Sequence, residues 1–599
     1  MGRAVGSVGN RAAGRNLVVT RRVHVSWPVA AGAAVVLLAA GFAVGRVTRG
    51  DDSAAVETTF RTPVPTAARP DVLTPAGSTT TASTTTVPFT AGPTTSGALR
   101  PEPSPLPLLV PAGPDDIGAR ICGSDGLRAG PATAADAGAI YPGKTVVTVP
   151  AGDNAKLFDA AQAGAVFWLA PGTHTLGSSE FGQIQARAGD VYVGAPGAVL
   201  DGQGRNRSAL SGNAVGVTIA YLEVTGFVAP LNEGVSNHDS ADGWVIEHVY
   251  AHDNGGAAMM AGARQQVRYS CLANNGQYAF NAYQQAAGIV DVVFEHNEIT
   301  GNNTGDWENK QKGCGCTGGG KFWDVKGARV TENWVHDNHS VGLWADTNNV
   351  DFLFARNIVE DNADVGIWYE ISYNARISDN LIARNGWEGG RSDTGAPSPG
   401  IYLSEAGGDA RLPSANAGAP RIDITRNRLV DNYSGITLYE NANRFCNSNG
   451  NSSTSYCTPF VTDGVIAEPH DFTYGRPVNK SHPCNAPGIG TEPLYTDCRW
   501  RTQHVLVAEN DFGFDRAKVP CGSEWCGVMA LYVSGADNQS WQPYRVADVL
   551  RAVVSGQDNR WTANRYTGAW RFAVGYGDRV DWADWQATYA QDGASTLAA

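Results

Sequence analysis

A chain of 599 residues with a formal net charge of −13 has room for one large core or several small ones, and its acidic balance excludes a body built to hold nucleic acid, whose phosphates need a basic face. Its 71 glycines point to many tight turns. Ten cysteines form an even set, which means disulfides in an exported chain and metal or redox chemistry in a cytosolic one.

The N-terminus decides between these compartments. Residues 1–26 carry Arg3, Arg11, Arg15, Arg21 and Arg22 and no acid, and the run from Trp27 to Gly45 has no charged residue. That run approaches the ~20 residues needed to cross a bilayer, and the arginines belong on the cytoplasmic side. The expectation is a cytoplasmic 1–26, a single transmembrane signal anchor at 27–47 and an extracellular remainder. The alternative is a cleaved signal peptide and a secreted body, although such apolar regions usually span only ~7–15 residues. Residues 48–115 are rich in Thr, Pro, Ala and Ser (TPVPTAARP, STTTASTTTVP), which predicts a disordered, partly extended linker.

Residues 116–599 then read as one domain. VTVPAGDNAKLFDAAQAG predicts a strand and a short helix with Asp153 near its N-cap, and FWLAPGTHTL and VYVGAPGAVLDG read as short strands broken by turns. A repeat follows, in which Asn, any residue, an aliphatic residue, two further residues and Asn recur. It appears at Asn297–Asn302, Asn333–Asn338, Asn357–Asn362, Asn380–Asn385 and Asn427–Asn432, with Asn510 and Asn564 as further first members. The steps from 333 to 357 and from 357 to 380 are 24 and 23 residues. Short strands at a coil-length period make a solenoid, and the asparagines are assigned to its turns, where they tolerate the left-handed conformation and stack their amides. WADWQATYAQ after Asp581 predicts a helix that caps the last coil. Cys446/Cys457, Cys484/Cys498 and Cys521/Cys526 are near pairs suited to disulfides, the first four cysteines lying in a long insertion at 443–502. Cys314-Gly-Cys316 is too closely spaced for a structural zinc pair and is read as disulfide-forming.

On these features the segment resembles the right-handed parallel β-helix proteins of the pectin-lyase-like superfamily, including their N-terminal helical cap. GCGCTGGGKFW (313–323), GLWADTNN (342–349), WYEISYN (368–374) and NRFCNS (443–448) look like β-helix repeat proteins of high-GC Gram-positive bacteria. The resemblance covers roughly residues 145–599 and implies an all-β solenoid with terminal helical caps. That superfamily holds hydrolases, lyases, epimerases and inert spikes, so it does not fix the reaction.

Aligning Gly320, Gly342 and Gly366 as equivalent strand starts sorts the faces by alternation. Phe322, Trp344, Trp368 and Tyr402 are predicted to form one outward aromatic ladder, and Asp324, Asp346 and Glu370 an acidic one. Glu405 and Glu440 continue the acidic line around a corner. Aromatic rings stack on the apolar faces of sugars, and carboxylates on coils ~4.8 Å apart suit glycosidic bond cleavage. The expectation is a glycoside hydrolase on a neutral polysaccharide or cell-envelope glycan, with Asp346 and Glu370 as acid and base or nucleophile and Asp324 tuning them. Trp344, Trp368, Phe322 and Tyr402 would bind sugar. No dedicated cofactor is expected, Ca²⁺ being the cation an acidic ladder would hold.

His238, in EGVSNHDSADGWVIEH, is the second candidate. The stretch is similar to the histidine motif of mannuronan epimerases, in which an aspartate stands two positions before the histidine; here Ser236 does. This resemblance implies a lyase or epimerase as the alternative. A third reading, a non-catalytic module for binding glycan or spacing the envelope, is favoured if a loop buries the Trp344–Trp368 strip. His174 and Lys321 are weaker candidates, Lys321 being predicted to face inward.

Overall fold

A computed structural model describes residues 109–283, 288–311, 315–392, 397–441, 501–533, 544 and 547–598. The segment expected to be an anchor at 27–47, the linker up to residue 108, Cys314 and the cysteines at 446, 457, 484 and 498 lie outside these residues. Among the described residues no helix is long and apolar enough to cross a membrane.

The body is a solenoid of three sheets with 13, 14 and 11 described strands, parallel and taking about every third strand of the chain, except that the third sheet ends on Asp578–Val580, paired antiparallel to Arg571–Gly575. One winding shows the pattern: Val325–Thr331 joins the first sheet, Trp334–His336 the second and Leu343–Asp346 the third. Inward residues of all three sheets merge into one continuous core, among them Ile299, Val335, Val359, Ile382 and Leu429 of the repeat.

Both asparagines of each repeat form ladders along the axis. The amide of Asn333 donates to Asn357 Oδ1 at 3.0 Å, Asn357 to Asn380 at 3.1 Å and Asn380 to Asn427 at 2.9 Å. A second ladder links Asn302, Asn338, Asn362 and Asn385 through bonds of 2.9 Å. The left-handed conformation falls elsewhere than expected. It belongs to the residue before each asparagine, such as Glu332 and Arg356 (both φ 56°) or Asp361 (φ 55°). The turn therefore spends its strained residue on a solvated charged side chain, and the asparagine is turned inward, where its amide satisfies buried backbone groups.

The ends are closed as predicted. Phe158 of the helix Ala155–Ala160 packs on Phe167 and Tyr192 inside the first coil, and Asn154 rather than Asp153 precedes that helix. At the far end Asp581 caps the helix Trp582–Ala587, whose buried Trp585 stacks on Phe572.

One feature lies outside the winding. Leu109–Arg128 runs lengthwise over the outer face of the second sheet as a strap. Arg356 donates to the Leu109 carbonyl at 2.6 Å. Ile117 and Ala119 pack on Ile358, Trp334 and Leu381, while Ile121 and Leu127 pack on Cys271, Ala273 and Tyr250. Cys122 is joined to Cys271 by a disulfide. Alternating apolar residues at 117, 119 and 121 mark this strap in the sequence, next to the Pro-rich stretch.

Candidate functional site

The third sheet carries the predicted aromatic and acidic residues, and its register is set by direct strand pairing. Lys321, Trp344, Trp368, Tyr402 and Thr437 share one row, each on the next strand. Trp323, Asp346, Glu370, Ser404, Tyr439 and Tyr532 form the next outward row, Glu370 lying one place past the Ala345–Tyr369 pair.

Three expectations are corrected by this register. Phe322 faces inward: it pairs with the core residue Ala345 and packs edge-on against Phe280 and Phe352. Lys321 faces outward instead, on the Trp344 row. Asp324 lies one position beyond the acidic row, in a corner at φ 51°, so only Asp346 and Glu370 stand level on neighbouring strands.

The expected aromatic ladder exists without Phe322. Trp344 and Trp368 stack at 4.5 Å and 8°, and Trp368 and Tyr402 at 5.1 Å. Tyr439 and Tyr532 prolong the strip, with ring centroids 4.8 Å apart. The acids are tied into it. Trp344 Nε1 donates to Glu370 Oε2 at 2.9 Å. Lys321 Nζ lies 3.0 Å from Asp346 Oδ2 and 3.8 Å from the Trp344 ring centroid, and it donates to the Gly315 carbonyl. The other Asp346 oxygen accepts from Thr347 N and Oγ1 at 2.7 and 2.8 Å.

This strip is covered, contrary to the expectation of solvent-facing carboxylates. Trp344 is 7% exposed, Asp346 4% and Glu370 2%. Gly315 sits so close that a Cβ there would stand 2.8 Å from the indole of Trp344, which explains a glycine at this position. Cys316, next to it, is disulfide-bonded, and Gln277 donates to its carbonyl at 2.9 Å. Trp368 is half-buried, and its indole N–H has no hydrogen-bond partner among the described residues, nor has the Thr437 hydroxyl. Buried donors without acceptors cost about 1–3 kcal/mol each, so these groups favour a hydroxyl-rich neighbour.

Glu405 and Glu440 share the corner register beyond the acidic row and are fully buried. Glu440 accepts from Thr502 N at 2.7 Å and from the Gln557 amide. Burial pushes its carboxyl up to about 8, against the opposing pull of Arg501. Neither acid extends a solvent-facing ladder.

The two histidines lie apart. His238 is half-buried in the turn after Gly234–Ser236, with Nδ1 3.2 Å from the Gly234 carbonyl. Its strand is three strands from that of Lys321, roughly 14 Å at the inter-strand spacing. His174 is buried near the first end on the Ala170 carbonyl, and burial lowers its pKa. Among the described residues no group of three or more His, Cys, Asp or Glu is arranged to hold a metal ion. Cys521 and Cys526 are bonded, as their spacing suggested.

Residues 233–412, which include the acidic pair and most of the aromatic strip, match the family model described as the right handed beta helix region. The matched residues are windings of the parallel solenoid described above. Solved structures similar to this β-helix include the A-module of mannuronan C-5 epimerase AlgE4 from Azotobacter vinelandii, at 16% identity and TM-score 0.34, covering 52% of this chain and 90% of that one. The pectate lyase Pel9A is 13% identical, with 48% and 80% covered at TM-score 0.30. The periplasmic alginate epimerase AlgG is 13% identical, with 54% and 77% covered at TM-score 0.23. No curated protein matches this β-helix in sequence. These likenesses concern the fold and leave the chemistry to the residues.

Proposed function

We propose that this β-helix acts on polysaccharide along its third sheet, as a glycoside hydrolase with Asp346 and Glu370 as the carboxylate pair. The observation that carries this reading is the stack of Trp344, Trp368 and Tyr402 beside two acids level on neighbouring strands. A spacing near 4.8 Å falls just short of the ~5–5.5 Å of a retaining pair, within reach of a side-chain adjustment. Asp346, ion-paired with Lys321, suits the nucleophile, and Glu370 the acid and base. The unpartnered Trp368 N–H and Thr437 hydroxyl would meet sugar hydroxyls.

Two specific observations favour other readings. Lys321 places a cation on this face, which would offset the repulsion between Asp346, Glu370 and a uronate carboxylate and supports a lyase or epimerase. The burial of the strip beneath Gly315 and Cys316 supports a binding or envelope-spacing module without turnover. The disulfides support an oxidising compartment. We further propose an extracellular body tethered by residues 27–47, on the arginine bias around that apolar run.

The test is incubation of the full chain with neutral and acidic polysaccharides. New reducing ends without unsaturated product support hydrolysis. Unsaturated uronate indicates a lyase, altered uronate composition without cleavage an epimerase, and retention without turnover the binding module. Glu370→Gln should abolish hydrolysis and keep the fold; full activity in that variant would overturn the assignment.

A further inference from the structure

The second sheet carries a side-chain constellation built twice. Glu298 and Thr300 face Trp334 and His336 on the next strand, with Asp337 following; Glu223 and Thr225 face Tyr250 and His252 in the same register, with Asp253 following. In each copy the aromatic ring stacks on the imidazole, at 3.7 Å for Trp334 and 3.8 Å for Tyr250. In each, Nδ1 lies 2.7 Å from the aspartate and Nε2 3.3 Å from the glutamate. The strand of Cys271, disulfide-bonded to the strap, lies between the copies.

Tyr250 of one copy packs on the strap, but among the described residues it is the Glu298 copy that hydrogen-bonds it. The free side of its carboxylate, Oε2, accepts from Ile121 N at 2.6 Å and Cys122 N at 2.8 Å. A second histidine holds the strap one turn earlier. His296 Nδ1 lies 2.7 Å from the Ile117 carbonyl, and its Nε2 3.1 Å from Glu332. Both His296 and His336 thus have an acceptor at each ring nitrogen. A neutral imidazole has one N–H and satisfies only one of two acceptors; the imidazolium satisfies both.

We propose that the N-terminal strap is fastened to the flank of the solenoid by a proton-dependent clasp, in which the imidazolium form of His336 holds Glu298 against the Ile121 and Cys122 amides, beside the contact of His296 with the Ile117 carbonyl. The surrounding charges favour this form. Around His336 stand Glu298 and Asp337, with Glu360 bonded to the stacked Trp334 and paired with Arg384; Arg120, over the Trp334 ring, is itself paired with Asp115. Glu332 beside His296 is shared with Arg356. Burial by itself lowers the His336 pKa, but the bonds and charges of Glu298 and Asp337 outweigh it, and the net shift is upward. A raised folded-state pKa stabilises the clasped state below the ordinary histidine value, and that stability is lost as pH rises through the raised one. The clasp therefore loosens on the alkaline side.

Hydrogen exchange of the full chain, disulfides intact, tests this on the peptide spanning residues 117–123. Corrected for the intrinsic exchange rate, protection at Ile121 and Cys122 should fall about tenfold between pH 6 and pH 9, the equivalent of one charge-assisted hydrogen bond. His336→Gln should flatten that dependence, while His252→Gln, in the copy that makes no hydrogen bond to the strap, should leave it as in the wild type. Peptides of the asparagine ladder, covering residues 354–360, report global opening, including the loss that Glu440 brings, and the fall at Ile121 and Cys122 should exceed theirs. A strap indifferent to pH in the wild type, or a His252→Gln protein as flat as His336→Gln, overturns the proposal.

Discussion

Lys321 Nζ meets Asp346 Oδ2 at 3.0 Å across neighbouring coils, with both side chains almost sealed from water. Removing one partner leaves the other charge buried without compensation. Lys321→Met should cost about 3–5 kcal/mol in urea denaturation. Lys321→Met combined with Asp346→Leu should recover most of that loss, because an apolar pair carries no desolvation penalty. Equal losses in the single and double variants would show that packing, not charge, matters here.

Phe322 and Trp368 were expected on one ladder and occupy opposite sides of the sheet. Phe322→Ala should therefore act as a core truncation, losing about 3–5 kcal/mol of stability. Trp368→Ala should cost less stability than Phe322→Ala, since its indole is half-buried in the strip and not in the core, and should weaken glycan retention about tenfold, measured by affinity electrophoresis.

The asparagine ladders make a separate claim about stability. Asn357 accepts from the backbone and side chain of Asn333 at 3.0 Å each and donates to the Val330 carbonyl and to Asn380 at 2.8 and 3.1 Å. Asn357→Ala strands several buried groups at once, at a cost of about 1–3 kcal/mol for each group left unpaired. Its denaturation midpoint should fall well below that of Arg356→Ala, which removes a partly exposed side chain paired with Glu332 and the Leu109 carbonyl from the left-handed position beside it.

Glu440 gives a pH dependence of defined sign. Its folded-state carboxyl titrates near 8, far above the ordinary carboxylate range, because burial penalises the charge. The folded protein then holds a proton that the unfolded chain releases, so stability should decline as pH rises from about 4.5 towards 8, by up to about 1.4 kcal/mol per unit. Glu440→Gln should flatten this decline in thermal melts between pH 5 and pH 8. An unchanged slope would place the dependence on other groups.

The solenoid and its asparagine ladders were legible in the sequence because a buried amide every coil leaves a periodic mark. The register of the third sheet was not. Trp323, Asp346 and Glu370 are level, as are Lys326, Val350 and Tyr373, so the corner between them spans two residues in two coils and three in the coil of Asp346. Gly320 pairs with Leu343, so Gly319 and not Gly320 is level with Gly342. Taking the wrong glycine of the run at 318–320 as the strand start exchanged Phe322 for Lys321 and moved Asp324 into the turn. The cover over Trp344 also left only a faint signal, the glycines at 315, 318, 319 and 320, which resemble ordinary turn glycines until the indole beneath them is seen.

The disulfide between Cys122 and Cys271 also has a mechanical meaning. Tension on the chain upstream of Leu109 enters the body at its flank, beside Arg356, and not at its first coil. It must shear the strap along the axis contact by contact, and peeling stops at the covalent bond, which passes the force to the strand Cys271–Ala273. The windings between Cys122 and Cys271, with the helical plug at Phe158, lie in a closed loop that bears no load. The most exposed end of the solenoid is thereby spared from unravelling under pull.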